Sequence, residues 1–239
     1  MLAHMMGGLG RAGFAGAVVA FVACGCGFLE ARKALERELA AAEASIQENE
    51  VAFAEAMAKA SSMTPTNEPC GLVLRPSGAT ASPLDIATVL DGSAGVVVRK
   101  TATEARSPHA KRMRDEVARI RQELASGGRS TSSLRDEGAK LAPGSFWTWD
   151  LVVVLDAESP VGGVDEAKGT FEGRGAVGRS YAFDYRKKAI VCAGSFRAES
   201  SKKIEYATHP GQLAGYGMVG LDLDAQSLRA GREALRSAR

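Results

Sequence analysis

From Ala12 to Leu29 the chain runs eighteen residues without a charged side chain, closed by Arg11 on one side and Glu30 on the other. An α-helix of that length rises about 27 Å at 1.5 Å per residue, just enough to cross a thin bilayer core. Gly13, Gly16, Gly25 and Gly27 lower its hydrophobicity, but glycine is tolerated in membrane helices. A helix buried in a soluble core usually keeps a polar face, and this stretch has none. Residues 1–29 therefore read as a membrane anchor, and the rest of the chain as what it holds.

The segment fits an uncleaved signal anchor best. A lipoprotein signal is the alternative: Phe21-Val22-Ala23-Cys24 would be the cleavage box and Cys24 the acylated residue. Ala23 suits that pattern, whereas Phe21 departs from the usual leucine and Arg11 is the only basic residue before it. Ordinary signal-peptidase cleavage needs small residues at −3 and −1, and no convincing Ala-x-Ala site follows the apolar run. Flanking charge sets Arg11 against Arg32, Lys33 and Arg37, which by the positive-inside rule favours a cytoplasmic domain. Cys70 and Cys192 pull the other way, because a distant pair in the soluble part has a structural use as a disulfide only after export. Closing so long a loop would contribute about 3–5 kcal/mol in the chain-entropy model. Export is the expectation taken forward.

Residues 30–62 read as a continuous helical stalk, with four basic and seven acidic side chains and no Gly or Pro before Pro65. Leu35, Leu39, Ala42, Ile46, Asn49, Phe53, Ala56 and Ala60 recur at alternating spacings of four and three, the a/d pattern of a coiled coil. Such a stripe can pair two copies as a homodimer, with Asn49 fixing register, or can lie on the chain's own domain. Residues 63–69 (MTPTNEP) form a breaker-rich linker, and 70–239 a soluble domain.

Within that domain Gly71–Arg75 and Val96–Thr101 read as strands. Ser82-Pro83 and Ser107-Pro108 open helices, the second striped by Ala110, Met113, Val117, Ile120 and Leu124 and stopped by Gly127-Gly128. Residues 127–145 read as a loop with at most one helical turn. Phe146–Asp156 is a strong strand, and Tyr181, Phe183 and Tyr185 alternate into a turn at Arg186–Lys188 and a returning strand, a hairpin with one buried face. Ile204–Tyr206 can add a strand, and a helix over Asp224–Ser237 closes the chain. The expectation is α+β, with a mainly antiparallel sheet and two or three packed helices.

No motif assigns a chemistry. Gly173-Arg-Gly175-Ala-Val-Gly178 has the dinucleotide spacing, but a strand follows it where that site needs a helix N-terminus, so a loop or β-bulge is expected. His4, His109 and His209 have no partners at ligand spacing and read as surface residues, so neither metal nor cofactor is expected. Asp91-Gly-Ser93-Ala-Gly95 and Ala193-Gly-Ser195 miss the serine nucleophile elbow, and Asp150, Asp156, Asp165 and Glu166 read as surface charge. A net charge of +2 gives no whole-molecule field for nucleic acid. Locally, residues 99–121 carry eight basic side chains, among them Arg112 and Arg119, which read as a solvated face or as a binding surface for anionic lipid. Trp147 and Trp149 share one strand face, as core or as an aromatic binding patch.

These readings converge on a membrane-anchored envelope protein without catalysis, whose extracytoplasmic domain binds a partner protein or envelope component. An enzyme with a non-contiguous site is the rival, to be sought first at the glycine segment and at Trp149/Asp150. A cytoplasm-facing domain resting its basic helix on anionic lipid is the third reading.

Overall fold

In a computed structural model the chain is described for residues 13–60, 62–63, 95–142, 149–159, 164–165, 170–171, 173–201 and 215–237. Of residues 13–28, 164–165, 170–171, 215–216 and 237 the backbone alone is described. The expected strand Gly71–Arg75, the helix from Ser82, the linker after Met63, the strand Ile204–Tyr206, Cys70 and Trp147 lie outside the described residues.

The fold is α+β. The described elements are α1 (Gly13–Ala60), β1 (Gly95–Arg99), a 3-10 turn at Ala102–Glu104, α2 (Pro108–Ser126), α3 (Thr131–Ala139), β2 (Trp149–Glu158), β3 (Val164–Asp165), β4 (Thr170–Phe171), β5 (Gly175–Asp184), β6 (Ala189–Glu199) and α4 (Gly215–Ser237). They fall into two compact units, residues 1–44 with 115–143 and residues 45–114 with 144–239. Among residues with described side chains no helix is long and apolar enough to cross a membrane, and the expected span lies outside them up to residue 28.

The larger unit is organised by a four-stranded sheet in the order β1-β2-β5-β6. β2, β5 and β6 are antiparallel neighbours, but β1 joins β2 in parallel, Gly95 opposite Leu151 and Arg99 opposite Leu155. The sheet is thus mixed: β1 and β2 are separated by α2 and α3, and a parallel pair needs a crossover of that kind. Both faces are covered, where the alternation in the hairpin had suggested one. On one, Leu151, Val153, Leu155, Ala182, Cys192 and Phe196 form a core with Leu223 and Leu235 of α4. On the other, Phe183 meets Phe53 of α1 edge to face at 5.1 Å, and the Tyr181 hydroxyl donates to the Ala60 carbonyl at 3.2 Å. The hairpin turn is where the sequence placed it, closed by the amides of Arg186 and Lys187 on Asp184 Oδ1 at 2.8 and 3.2 Å.

In the smaller unit, the coiled-coil stripe residues Leu35, Leu39 and Ala42 are buried, as are Val117, Ile120 and Leu124 of α2 and Leu134 of α3. Leu35 lies so close to Gly138 that a Cβ there would sit 3.0 Å from Leu35 Cδ1. Arg135 pairs with Glu38 at 2.9 Å, and Arg121 with Glu43. In the larger unit the stripe continues buried through Ile46, Asn49, Phe53, Ala56 and Ala60, and Asn49 Nδ2 donates to the Ser45 carbonyl of its own helix at 2.8 Å. From Leu35 onward α1 is built into the fold, and the chain itself covers the stripe that could have faced a second copy.

Two element boundaries differ from expectation for physical reasons. Residues 131–139 form a helix where a loop was expected: Ser130 caps it by accepting from the Ser133 amide at 3.3 Å, and burial of Leu134 compensates for a weakly helical composition. α4 begins at Gly215, nine residues before the expected start. Its glycines each cost about 1 kcal/mol of helix propensity, and the buried stripe Val219, Leu223, Ser227, Gly231 and Leu235 outweighs them.

Candidate functional site

Among the described residues, a buried polar cluster lies at the amino-terminal end of α2. Ser107-Pro108 acts as the sequence indicated: Pro108 opens the helix, and Ser107 Oγ accepts from the Ala110 amide at 2.8 Å. β2 brings Asp150 beneath this cap, on the face shared with Val152 and opposite Phe183. Asp150 is fully buried, and Tyr185 and Ser107 beside it are nearly so. Its Oδ2 accepts from the Tyr185 hydroxyl at 2.5 Å, from Ser107 Oγ at 3.0 Å and from the His109 amide at 3.4 Å. The two hydroxyls also lie against each other, with both protons turned to the carboxylate. Asp150 Oδ1 is buried without a hydrogen-bond partner.

Burial pushes the Asp150 carboxyl above the ordinary carboxylate range, against the pull of Tyr185, Ser107 and the His109 amide. Burial likewise raises Tyr185, the neighbouring carboxylate adding to it, so the phenol keeps its proton and donates. His109, expected at the surface, is half-buried, with its ring 5.3 Å from that of Tyr185. Burial, reinforced by Arg112, lowers its imidazole to about 4.

Ser107, His109 and Asp150 invite comparison with a hydrolase triad, and the bonding decides against it. The serine donates to the carboxylate itself, not to the imidazole, so there is no relay in which histidine takes the serine proton. Asp150 has no accessible surface to offer a substrate. What the arrangement does is fasten one helix N-terminus to two strands: the carboxylate meets the positive end of α2, and Tyr185 locks it to the end of β5.

The glycine segment leads into β5, and the bulge opposite it lies in β2 at Asp156. Gly175 N donates to Ser159 Oγ at 2.7 Å, and the β2–β5 register shifts between Leu155 and Ala157. A Cβ at Gly178 would lie 2.1 Å from the Val154 carbonyl oxygen, so the last glycine of the motif is required by strand packing and not by phosphate. Beside it lies a groove of about 480 Å³ lined in part by Glu158, Gly175, Val177, Arg197 and Glu199. Glu158 is held there between Arg99 at 2.9 Å and Arg174 at 2.7 Å. A second cleft, of about 420 Å³, lies between α1 and the segment entering α2.

Of the expected binding residues, Trp147 lies outside the described ones, Trp149 and Arg112 belong to the larger unit and Arg119 to the smaller. Trp149 is half-buried and packs on the α4 side of the sheet. Arg112 is exposed in the larger unit. Arg119 belongs to the smaller one, where it bonds Glu116 at 2.5 Å and also Glu123 and Glu137. Much of the basic run is neutralised likewise, Arg99 by Glu158 and Asp224, Arg114 by Glu50, Arg121 by Glu43. Cys192 lies in the core of the larger unit and is not a free thiol. Cys24 has only its backbone described. Among the described residues no cluster of three His, Cys, Asp or Glu could hold a metal ion. In sequence Asp150 reads as one of several surface carboxylates and, under the enzyme reading alone, as a place to seek a site; its local signal is an acid heading an otherwise apolar strand. Comparison with protein-family models, with curated proteins and with solved structures returned no match.

Proposed function

We propose that the chain is a single-pass membrane protein of the cell envelope whose α+β domain, outside the cytoplasm, binds a partner protein or an envelope component. The observation that carries this reading is the continuity of α1. From Gly13 to Leu29 the uncharged segment belongs to one helix, Gly13–Ala60, whose far end supplies Phe53 and Ala60 to the core of the sheet. Non-catalytic binding is favoured because the polar cluster around Asp150 is buried and both its hydroxyls are turned to the carboxylate.

Export is supported by Cys192, which is not a free thiol; we take Cys70 as its disulfide partner. The anchor is read as uncleaved, with acylation at Cys24 the alternative. Paired reporters fused after Arg239 test topology: an active periplasmic reporter and a silent cytoplasmic one are expected, and the reverse pattern would overturn the reading. Intact-mass measurement separates the two anchors, since acylation would remove residues 1–23 and add lipid to Cys24.

A further inference from the structure

We propose that the cleft between α1 and the segment entering α2 is the domain's ligand site, and that it takes a small organic anion with an apolar body, a carboxylate or phosphate on a ring or short chain. The proposal deepens the binding reading of the domain and is independent of which side of the membrane the domain occupies.

The cleft has a volume of about 420 Å³, in the range of small-molecule sites and small for a folded partner. Its α1 wall is Gln47, Glu50, Val51, Phe53 and Ala54; its other wall includes Ala105, Arg106 and Arg114. All lie in the larger unit. The surface is mixed: Val51 and Ala54 present exposed apolar atoms beside the polar side chains, with Phe53 and Ala105 buried beneath, and Val51 is one of few large hydrophobic side chains exposed among the described residues.

Charge on the walls does not balance. Arg114 pairs with Glu50, which accounts for the one carboxylate among the lining residues. Arg106 meets no acid among the described residues: its Nη1 reaches only the carbonyl oxygens of Thr103 at 3.4 Å and Ala105 at 3.2 Å. Other arginines of the same stretch, Arg99, Arg119 and Arg121, have carboxylate partners. A guanidinium with spare donors, set beside the exposed apolar atoms of Val51 and Ala54, matches a planar anion that it can grip through two parallel N–H bonds. Ser107 also borders the cleft, but its hydroxyl donates to Asp150 and accepts from Ala110, so it positions the wall and does not serve as a ligand group.

The test uses the full chain in detergent, with benzoate and phenyl phosphate as probes and benzamide and benzylamine as neutral and cationic controls, read by titration calorimetry. Saturable one-to-one binding of at least one anion is expected, with neither control binding. Arg106→Gln should weaken it at least tenfold, and Ala54→Phe, which fills the cleft from an exposed helix position, should abolish it. Arg112→Gln, an exposed arginine outside the cleft, should leave it unchanged. Preference for phenyl phosphate over benzoate, or the reverse, assigns the head group. The proposal is overturned by no saturable binding of either anion, by equal binding of benzylamine, or by unchanged affinity in Arg106→Gln. Failure here would leave the topology result standing, and a cytoplasmic domain in the reporter assay would leave this site standing.

Discussion

Asp150 sits where a carboxylate is costly, and the side chains around it show how that cost is offset. Three donors converge on Oδ2, two of them hydroxyls fixed by a helix cap and a strand end. Replacing Tyr185 by Phe keeps the ring against Phe183 and His109 but removes one charge-assisted bond. It should destabilise the larger unit by about 1.5–3 kcal/mol in urea denaturation, the usual worth of a hydrogen bond to a charged group. Loss of less than half a kcal/mol would show that the carboxylate is not held as described. His109 gives a pH signature. Its folded-state pKa, about 4, lies below the ordinary 6.5, so between those values an unfolded chain binds a proton that the folded chain does not. Stability from this group is complete above pH 6.5 and falls away as the pH drops toward 4. His109→Gln should flatten that part of the stability–pH curve, measured by thermal denaturation across the window. Asp150, raised by burial, acts oppositely, contributing less as pH rises above the ordinary carboxylate value, and its slope should survive the His109 substitution. The cap at Ser107 was legible because capping is local. The role of Asp150 was not, because its partners come from residues 107 and 185, joined to it only by the fold.

Among the elements, α4 and β5 show how glycine sets approach distances. A Cβ at Gly231 would sit 2.8 Å from Val153 Cγ2 and 3.2 Å from Ser180 Cβ, so this residue lets α4 lie directly on the sheet. Gly231→Val should therefore lower stability by about 1–3 kcal/mol, the typical cost of overpacking, despite its better helix propensity than glycine. A neutral or stabilising outcome in chemical denaturation would mean the helix can lift freely. Gly178 is the same case in β5, and it explains a motif that in sequence resembled a nucleotide loop. Periodicity found α2, β2 and the β5–β6 hairpin because each carries a clean repeat. It missed α3 and the first turns of α4, where a cap, one leucine or a stripe broken by glycine had to be completed by tertiary packing. The parallel β1–β2 pairing was equally hidden, since register between distant strands leaves no mark in either strand alone.

For the whole molecule, α1 carries the proposed membrane attachment and, in its second half, part of the core of the larger unit. Phe53 illustrates its second role: Phe53→Ala should cost about 3–5 kcal/mol, as large core truncations do, and should release the end of α1 from the sheet. That predicts faster proteolysis within α1 as well as a lower melting temperature, whereas a free-standing stalk would show neither. The heptad stripe was legible in sequence, but whether it faced a second copy or its own domain was not, because both arrangements demand the same apolar spacing.

The central claim is that α1 ties an extracytoplasmic domain to the membrane. It is tested most directly by labelling spheroplasts carrying the full chain with Lys187→Cys, an exposed turn position, using a membrane-impermeant maleimide before and after lysis, with carbonate extraction of the same samples. The account predicts labelling of Cys at position 187 before lysis, on protein that stays in the carbonate-washed membrane pellet. Labelling only after lysis, or protein released to the supernatant, would contradict it.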